Sequence, residues 1–326
     1  MAPTRSLGTS LDDLGTRPTI VAIGNFDGVH LGHRAVLAGT AEDARARGCT
    51  PVALTFEPHP TAAVGRPAPA CLTTIERKLE LIARIDPELR VVVQHFDATF
   101  AAMTPEQFAR QVLVDRCSAQ SVRVGANFRF GARRSGDLAA LQALGITFGF
   151  EAQVAPLLGD VAGRYSSTRA RECVSRGDLK GLRHILGRPH AVSGQVVEGQ
   201  QRARTLGFPT ANLSWVAEAL PPHGVYAVAV DLVDSNTQPS RLGAGVCNIG
   251  VRPTVEAGFA VEVHLFDHSE NLYGKTLRVH LLDSLRAERK FANLEALRAQ
   301  IVEDSQRAKD ALQGLAPAAD AGKAWF

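Results

Sequence analysis

The sequence is poor in the features that mark membrane proteins, secreted proteins and small metal scaffolds. No apolar run approaches the roughly 18 residues of a membrane span, and residues 1–18 lack the apolar core of a signal peptide. The five cysteines are far apart and form no CxxC pair, so a disulfide framework or a structural zinc site is a poor interpretation. Scattered thiols in a reducing compartment fit better, and we expect a cytoplasmic protein with no membrane partner.

The chain also has little net charge and few large aromatic residues apart from phenylalanine. Its formal net charge is +3, and it has only three tyrosines and two tryptophans. A nucleic-acid-binding protein with a small barrel is one open hypothesis, but such a protein uses an aromatic platform to stack bases, which this composition does not favour. We therefore expect no nucleic-acid partner. The small excess of basic residues suits an enzyme with a local pocket for phosphates.

The first half of the chain alternates short apolar runs with helical patterns. This rhythm predicts βαβ units, a mostly parallel sheet and an α/β domain. Strands are predicted at Thr19–Ile23, Pro51–Phe56, Leu89–Val93, Ser121–Gly125 and Thr147–Val154. Helices are predicted at His30–Arg47, Thr73–Ile85, Pro105–Arg116, Gly136–Leu144 and Thr168–Arg176.

The second half changes character after Leu186–Pro189, and its short β-type runs predict a small antiparallel barrel. The predicted strands are Ala191–Val197, Gly224–Leu232, Leu242–Ile249, Ala260–Phe266 and Thr276–Leu282. A closing helix is predicted after the N-cap Asn293, with its apolar residues at Leu294, Leu297, Ile301, Ala308 and Leu312. A chain of 326 residues suits two domains. We expect them at 1–185 and 186–315, followed by a flexible tail at 316–326 in which Trp325 and Phe326 could dock.

A first candidate site follows the first predicted strand in the segment GNFDGVHLGH, residues 24–33. Its glycines let the backbone approach a ligand, and a helix that starts near His30 directs its free N–H groups at that ligand. His30 and His33 share a face of the first turn and could donate hydrogen bonds to a polyphosphate. Alone, the segment fits a tight turn with two incidental histidines about equally well.

Three further segments lie at loops on the same edge of the predicted sheet. TFEPHP at 55–60 contains His59, GANFRFG at 125–131 contains Asn127, and SSTRAR at 166–171 opens a helix with hydroxyl groups and two arginines. Each has an ordinary explanation as a turn, a solvated loop or a helix cap. Together they favour a nucleotide site, because ligands bind at the carboxyl ends of parallel strands.

A second candidate site lies in the other half of the chain, at PTAN, residues 209–212. Thr210 and Asn212 face the same side of an extended chain, and their oxygens are hard ligands suited to Mg²⁺. The preceding basic loop begins and ends with glycine and could wrap phosphates. Downstream, Glu262 lies on the polar face of an alternating strand, where a carboxylate could act as a general base. Without its context, Glu262 would more often be an ordinary solvated strand residue.

In combination these segments resemble the prokaryotic bifunctional riboflavin kinase/FMN adenylyltransferase family, also called FAD synthetase. The first four resemble its adenylyltransferase half over about residues 17–185. GFPTANL, GVYA, NIGVRPT, VEVH, LYG and LR with KF resemble its riboflavin kinase module over about residues 186–312. The resemblance implies a Rossmann-like nucleotidyltransferase domain followed by a six-stranded Greek-key barrel. It also implies the substrates riboflavin, FMN and ATP, with FMN and FAD as products and Mg²⁺ as the cofactor.

In the first domain, the resemblance implies that the FMN phosphate attacks the α-phosphorus of ATP, which gives FAD and pyrophosphate. His30, His33 and Arg169 are the implied catalytic residues, and Phe128 is an implied flavin contact. The implied nucleotide and phosphate site consists of Gly24, Asn25, Phe26, Asp27, His30, His33, His59, Asn127, Ser166, Ser167, Thr168 and Arg169.

In the second domain, the resemblance implies a kinase that phosphorylates riboflavin. Thr210 and Asn212 would bind Mg²⁺ and ATP, and Glu262 would be the base that acts on the terminal ribityl hydroxyl beside the flavin. Arg286 would lie near the flavin ring. The implied ATP and phosphate site of this domain consists of Gly199, Arg202, Arg204, Gly207, Thr210 and Asn212.

The loop before PTAN departs from the family pattern GDxRGR, because Gln200 replaces the acidic residue and Ala203 replaces a glycine. An added Cβ at position 203 would disfavour a positive φ. One alternative therefore stays open, in which the barrel is an impaired kinase that serves a working adenylyltransferase as a flavin-binding or regulatory module. We expect a monomer or a weak homo-oligomer.

Overall fold

The computed structural model describes residues 14, 17–63, 65, 67–198, 208–234, 238–251 and 259–326. The chain forms two compact units. The first consists of Met1–Pro69 and Thr74–Ser166, and the second of Ala70–Thr73 and Ser167–Phe326. The units thus divide earlier in the chain than the boundary at 185/186 expected from the sequence, because two further helices belong to the second unit.

The core of the first unit is a parallel five-stranded sheet, as the βαβ rhythm predicts. Its strands have the order β3-β2-β1-β4-β5. They are β1 (Thr19–Ile23), β2 (Thr50–Glu57), β3 (Arg90–His95), β4 (Ala119–Val124) and β5 (Glu151–Val154). The helices are α1 (Leu31–Ala46), α2 (Pro60–Ala63), α3 (Ile75–Ala83), α4 (Ala98–Ala101), α5 (Pro105–Gln107) and α6 (Leu138–Phe148). A hairpin of β6 (Gly159–Asp160) and β7 (Gly163–Arg164) follows.

Two predictions for this unit are wrong in detail. The strand predicted from Thr147 begins only at Glu151, because α6 continues to Phe148 and ends at Gly149, whose φ of 83° is left-handed. A strand cannot start before that helix cap. The single helix predicted over Pro105–Arg116 is α5 followed by a π-helix at Phe108–Val114.

The second unit contains a closed six-stranded barrel, which confirms the predicted antiparallel architecture. Around the barrel the strands have the order β10-β11-β12-β9-β8-β13. They are β8 (His190–Val197), β9 (Ala211–Ser214), β10 (Gly224–Val233), β11 (Ser240–Val251), β12 (Phe259–Leu265) and β13 (Thr276–Ala287). The helices are α7 (Ser167–Arg176), α8 (Leu179–Leu186) and the closing helix α9 (Leu294–Ala311). The sequence patterns did not predict α8 or the short strand β9.

The closing helix begins as predicted, since the Asn293 side chain accepts a hydrogen bond from the Ala296 N–H at 2.8 Å. Its buried residues are Gln300, Asp304 and Ala308, whereas the predicted Leu294 is 65% exposed. The helix therefore turns a largely polar face to the barrel.

The C-terminal tail, residues 316–326, makes contacts with the barrel. The Trp325 N–H donates to the buried Asp231 carboxylate at 2.9 Å, and the Phe326 ring contacts the His280 ring edge-on, with 5.2 Å between ring centroids. Ala324 and Phe326 are buried. Trp325 and Phe326 thus dock on buried polar groups of the barrel, a possibility that the sequence allowed.

All five cysteines are free thiols, and Cys117, Cys173 and Cys247 are buried. Burial raises the pKa of the Cys117 thiol to about 12. This holds the thiol protonated and unreactive at neutral pH. Within the described part of the chain, no helix combines the length and the apolar character needed to cross a membrane.

Candidate functional site

The loop after β1 has an unusual backbone conformation. Phe26 and Val29 have positive φ angles of 48° and 38°, and both side chains are buried. A left-handed conformation is uncommon for a residue with a Cβ and is a true outlier for β-branched valine. The loop closes on itself through a hydrogen bond from the Val29 N–H to the Phe26 carbonyl at 3.0 Å, and Asp27 is buried within it. Such strain persists only where the surroundings enforce it, and it often marks a ligand-binding loop.

His30 and His33 lie side by side at the start of α1. His30 is the N-cap, and its Nδ1 accepts a hydrogen bond from the His33 backbone N–H at 3.2 Å. The two rings are stacked with 3.5 Å between centroids, and the edge of Phe26 packs against His33 at 5.3 Å. A Cβ at Gly32 would lie 3.1 Å from the His30 ring, so the glycine makes room for the stack. Because Nδ1 accepts this hydrogen bond, a neutral His30 ring carries its proton on Nε2.

The loops after β1 and β2 meet through polar side chains. Asn25 Nδ2 lies 3.2 Å from His59 Nε2, and Thr55 Oγ1 donates to the Asn25 carbonyl at 3.1 Å. His59 Nδ1 lies 2.8 Å from Thr61 Oγ1. These contacts place Asn25 and His59 next to the loop that carries the histidine pair. Gly24 stands at the end of β1, where its N–H donates to the Leu54 carbonyl at 3.1 Å.

The loop after β4 positions two more predicted residues of the first unit, Asn127 and Phe128. Asn127 is exposed in a turn closed by the Phe128 N–H and the Gly125 carbonyl at 2.9 Å. The Phe128 ring is stacked on Phe130 with 5.5 Å between centroids. Ring contacts that the sequence patterns did not predict continue from here to the end of β2 through Phe130, Phe108, Phe100, Phe96 and Phe56. The recurrence of phenylalanine just after predicted strands was the available signal.

The SSTRAR residues fall on both sides of the division between the two units. Ser166 ends the first unit, next to Tyr165, whose carbonyl oxygen would lie 3.5 Å from a Cβ at Gly32. Ser167 begins α7 in the second unit, where Thr168 and Arg169 lie in the first helical turn.

In the barrel, the register brings Glu262 and Asn212 together. They are directly opposite each other in the antiparallel pair β12–β9. Opposite residues share a face of the sheet, with Cβ atoms about 5 Å apart. The neighbouring pair, Val261 and Leu213, is buried in the barrel core, so the two polar side chains point away from it.

Thr210 and Asn212 line a cleft of about 540 Å³ whose other wall is the loop 268–273. This volume is typical of a site for a small ligand. His264 supports the segment before β9, since its Nδ1 lies 2.9 Å from the Pro209 carbonyl and its ring meets Phe208 with 5.4 Å between centroids. The sequence patterns did not identify this supporting role. Burial raises the pKa of Cys247, on the neighbouring strand, and the charge of Glu262 raises it further.

Arg286 forms an ion pair with α9. Its Nε lies 3.0 and 2.9 Å from the two carboxylate oxygens of Asp304, and its Nη2 lies 2.8 Å from Oδ2. Gln300 Nε2 donates to Asp304 Oδ1 at 2.8 Å. The centroid of the Phe291 ring lies 5.5 Å from the guanidinium carbon of Arg286 and 4.9 Å from that of Arg289. Arg286, the predicted flavin contact, thus links β13 to the closing helix.

The predicted phosphate loop of the barrel lies outside the described residues. This concerns Gly199, Arg202, Arg204 and Gly207, together with the departures from the family pattern at Gln200 and Ala203.

Comparison with known families identifies both halves of the chain. A family model described as FAD synthetase matches residues 13–169, and one described as riboflavin kinase matches residues 186–312. A bifunctional riboflavin kinase/FMN adenylyltransferase of Escherichia coli K12 is 40% identical over 89% of this chain and 92% of its own length. The chain belongs to the bifunctional riboflavin kinase/FMN adenylyltransferase family.

Other relatives carry the same name. The bifunctional riboflavin kinase/FMN adenylyltransferase of Haemophilus influenzae is 37% identical over 89% of this chain and 92% of its own length. That of Bacillus subtilis is 32% identical over 89% of this chain and 91% of its own length. The chain therefore has both riboflavin kinase and FMN adenylyltransferase activities, with riboflavin, FMN and ATP as small-molecule substrates or products. The alternative of an impaired kinase is not favoured.

Among solved structures, one similar chain has a TM-score of 0.79 and 27% identity, covering 92% of this chain and 97% of its own. That chain is described as a macrolide-efflux protein from Streptococcus pneumoniae. The likeness extends over both units and concerns the fold. Within the bifunctional family, function is assigned from the residues of the sites.

Proposed function

We propose that Glu262 and the stacked histidines His30 and His33 carry out the two successive steps of FAD synthesis in this chain. In the barrel, riboflavin and ATP give FMN and ADP. In the parallel-sheet unit, FMN and a second ATP give FAD and pyrophosphate. The observation that carries the kinase assignment is the cross-strand pairing of Glu262 with Asn212 beside the cleft.

In the kinase step, Glu262 accepts the proton of the terminal ribityl hydroxyl as its oxygen attacks the γ-phosphorus of ATP. The bond from that phosphorus to the β-phosphate bridging oxygen breaks, and ADP leaves. The cleft beside Thr210 and Asn212 receives the nucleotide, and the phosphate loop before β9 holds its phosphates.

Mg²⁺ fits the donor groups of this cleft. Thr210 supplies a hydroxyl oxygen and Asn212 an amide oxygen, both hard ligands, and both residues line the cleft. These two residues would hold the ion together with phosphate oxygens of ATP. When bound, Mg²⁺ supplies positive charge that offsets the charge of the phosphates.

In the adenylyl transfer, a phosphate oxygen of FMN attacks the α-phosphorus of ATP, and the bond to the pyrophosphate oxygen breaks. This displacement needs no covalent enzyme intermediate, so the residues position the substrates and stabilise negative charge. His30 and His33 donate hydrogen bonds to the phosphates from the N-terminus of α1. Asn25, His59 and Asn127 hold the nucleotide.

The remaining predicted residues of the adenylyl-transfer site also have proposed roles. Ser166, Ser167 and Thr168 bind phosphate oxygens, and Arg169 stabilises the charge of the transition state. The loop residues Gly24, Phe26 and Asp27 shape the turn that presents the histidines, and Phe128 packs against the flavin ring.

A time course with purified protein, riboflavin, ATP and Mg²⁺ tests the proposed order. Riboflavin should fall, FMN should rise and then decline, and FAD should accumulate, as followed by chromatography. With FMN as the starting flavin, FAD should form without a lag. Absence of FMN and FAD in the first reaction would overturn the proposal.

A monomer or weak homo-oligomer in the cytoplasm remains our prediction. A single chain supplies every proposed site residue, and five free thiols suit a reducing compartment. Size-exclusion chromatography with light scattering tests the first part, and fractionation of the source cells tests the second.

A further inference from the structure

One row of opposite residues crosses five strands of the barrel and contains the kinase residues. Arg286 on β13 is opposite Val225 on β10, which is opposite Asn248 on β11. Asn248 is opposite Glu262 on β12, which is opposite Asn212 on β9. Directly opposite residues lie on the same face of a sheet. The row therefore adds one polar side chain, Asn248, to those that the sequence analysis singled out.

The two ends of this row differ in their surroundings. At one end, Val225 is buried in a cluster with Ala308 of α9, and Arg286 is bound to Asp304 of the same helix. At the other end, Asn212 lines the cleft for the nucleotide. Asn248 and Glu262 lie between these two ends, with Val225 and Arg286 on the side of α9 and Asn212 on the side of the cleft.

Asn248 is suited to bind a ligand at this place. It is half-buried, and within the part of the chain that the structure describes, its side-chain amide takes part in no hydrogen bond. Neighbouring strands are about 4.8 Å apart, so Asn248 stands one strand spacing from the base Glu262. An amide can both donate to and accept from a hydroxyl group.

We propose that Asn248 binds an internal hydroxyl of the ribityl chain of riboflavin and so selects a polyol for phosphorylation. This inference rests on the proposed function, in which Glu262 meets the terminal hydroxyl and Arg286 lies towards the flavin ring. A ribityl chain that joins those two points passes Asn248 before it reaches Glu262. The hydrogen bond places the terminal hydroxyl in front of the base.

The test combines the Asn248→Ala variant with riboflavin analogues that each lack one internal ribityl hydroxyl. For wild-type protein, the analogue that lacks the bound hydroxyl should lose about three- to tenfold in kcat/KM, which corresponds to one neutral hydrogen bond. Asn248→Ala should lose a similar factor with riboflavin, and no further factor with that analogue. The KM for ATP should stay unchanged. This coupling between variant and analogue measures the contact itself.

Several controls keep the result interpretable. Gln195→Ala is the control: it removes an exposed amide of β8 that lies outside the row and donates to the Gly274 carbonyl. This variant should lose the same factor in kcat/KM as the wild type with each analogue. FMN-to-FAD conversion by Asn248→Ala should match the wild type, because that step belongs to the other unit, and an unchanged urea midpoint of the barrel would report that the variant is folded. If Asn248→Ala failed to fold, Asn248→Ser would replace it. In that variant, the ratio of kcat/KM for riboflavin to kcat/KM for the analogue that lacks the bound hydroxyl should be smaller than in the wild type.

The inference is overturned if every analogue loses the same factor in the variant as in the wild type. That result is distinct from failure of the proposed function, in which wild-type protein would form no FMN from riboflavin at all.

Discussion

Arg286 at the end of β13 is bound by both carboxylate oxygens of Asp304 in α9. The Asp304 side chain is 3% exposed and that of Arg286 17% exposed, so the pair is largely removed from water. Gln300 orients the carboxylate from the preceding helical turn. The closing helix is thus held to the barrel by a charged hydrogen-bond network as well as by apolar contacts.

Asp304→Ala should destabilise the barrel unit and weaken riboflavin binding. Removal of one partner leaves the Arg286 charge largely buried, which costs about 3 kcal/mol. We expect a lower denaturant midpoint for the barrel and a raised KM for riboflavin, with adenylylation of FMN retained. Glu303→Ala, at an exposed neighbouring position of α9, is the matched control and should behave like the wild type. Equal stability of the two variants would contradict a structural role for the ion pair.

His33→Ala should stop FAD formation while FMN accumulates. The variant removes one positioned donor from the stacked pair at the start of α1, and loss of such a donor typically costs about 10²- to 10³-fold in rate. Chromatography of a reaction that starts from riboflavin measures both products. A folded variant that lost the kinase activity as well would contradict two independent sites.

Glu262→Gln should have the reciprocal effect. It preserves the shape of the side chain opposite Asn212 but removes the base, so FMN formation should fall by about 10²- to 10⁴-fold. Conversion of added FMN to FAD should continue at the wild-type rate. Normal phosphorylation of riboflavin by this variant would exclude Glu262 as the base.

Glu218→Gln should stabilise the protein at neutral pH. Burial raises the pKa of this carboxyl group, and hydrogen bonds from the Glu218 and Ser193 backbones, a hydrogen bond with the Ser193 side chain and the charge of Arg278 offset that only in part. Its Oε2 atom has no hydrogen-bond partner among the described residues. Because the folded-state pKa is raised, the stability that this group contributes is fully present below its ordinary pKa and is lost as the pH rises through the folded-state value.

Thermal unfolding of wild type and Glu218→Gln at pH 4 and pH 8 tests this sign. The stability of the variant relative to the wild type should increase from pH 4 to pH 8, because only the wild type must bury the carboxylate at the higher pH. The opposite trend would show that the ionised carboxylate is favoured in the folded protein.

Removal of Trp325 and Phe326 should destabilise the barrel. Asp231 and His280 are fully buried, and His280 Nε2 lies 2.8 Å from Asp231 Oδ2. The backbone N–H of Trp325 donates to the other carboxylate oxygen, Asp231 Oδ1. Loss of that donor leaves a buried acceptor unpaired, at a cost of about 1–3 kcal/mol. Urea unfolding of the shortened chain measures the cost, and Asp320→Ala, at an exposed position of the same tail, is the control. An unchanged midpoint would mean that the docked tail adds no stability.

Local patterns predicted most of the elements, because alternation and helical periodicity report which side of each element faces a core. Thr19–Ile23 matches β1 residue for residue, and the N-cap Asn293 begins α9 as expected. The short strand β9 was missed because only four residues form it, which is too few for a periodic pattern. The polar face of α9 was missed because Asp304 is buried only through its pairing with Arg286, a residue on another element.

The sequence by itself determined the family, the order of the two folds and the segments that carry the chemistry, since these are properties of consecutive residues. Only the tertiary structure decided which of those residues meet. Strand register placed Glu262 between Asn212 and Asn248, although these residues come from three separate strands. Register depends on how all six strands close the barrel, and a shift of one residue would turn each of these side chains to the opposite face.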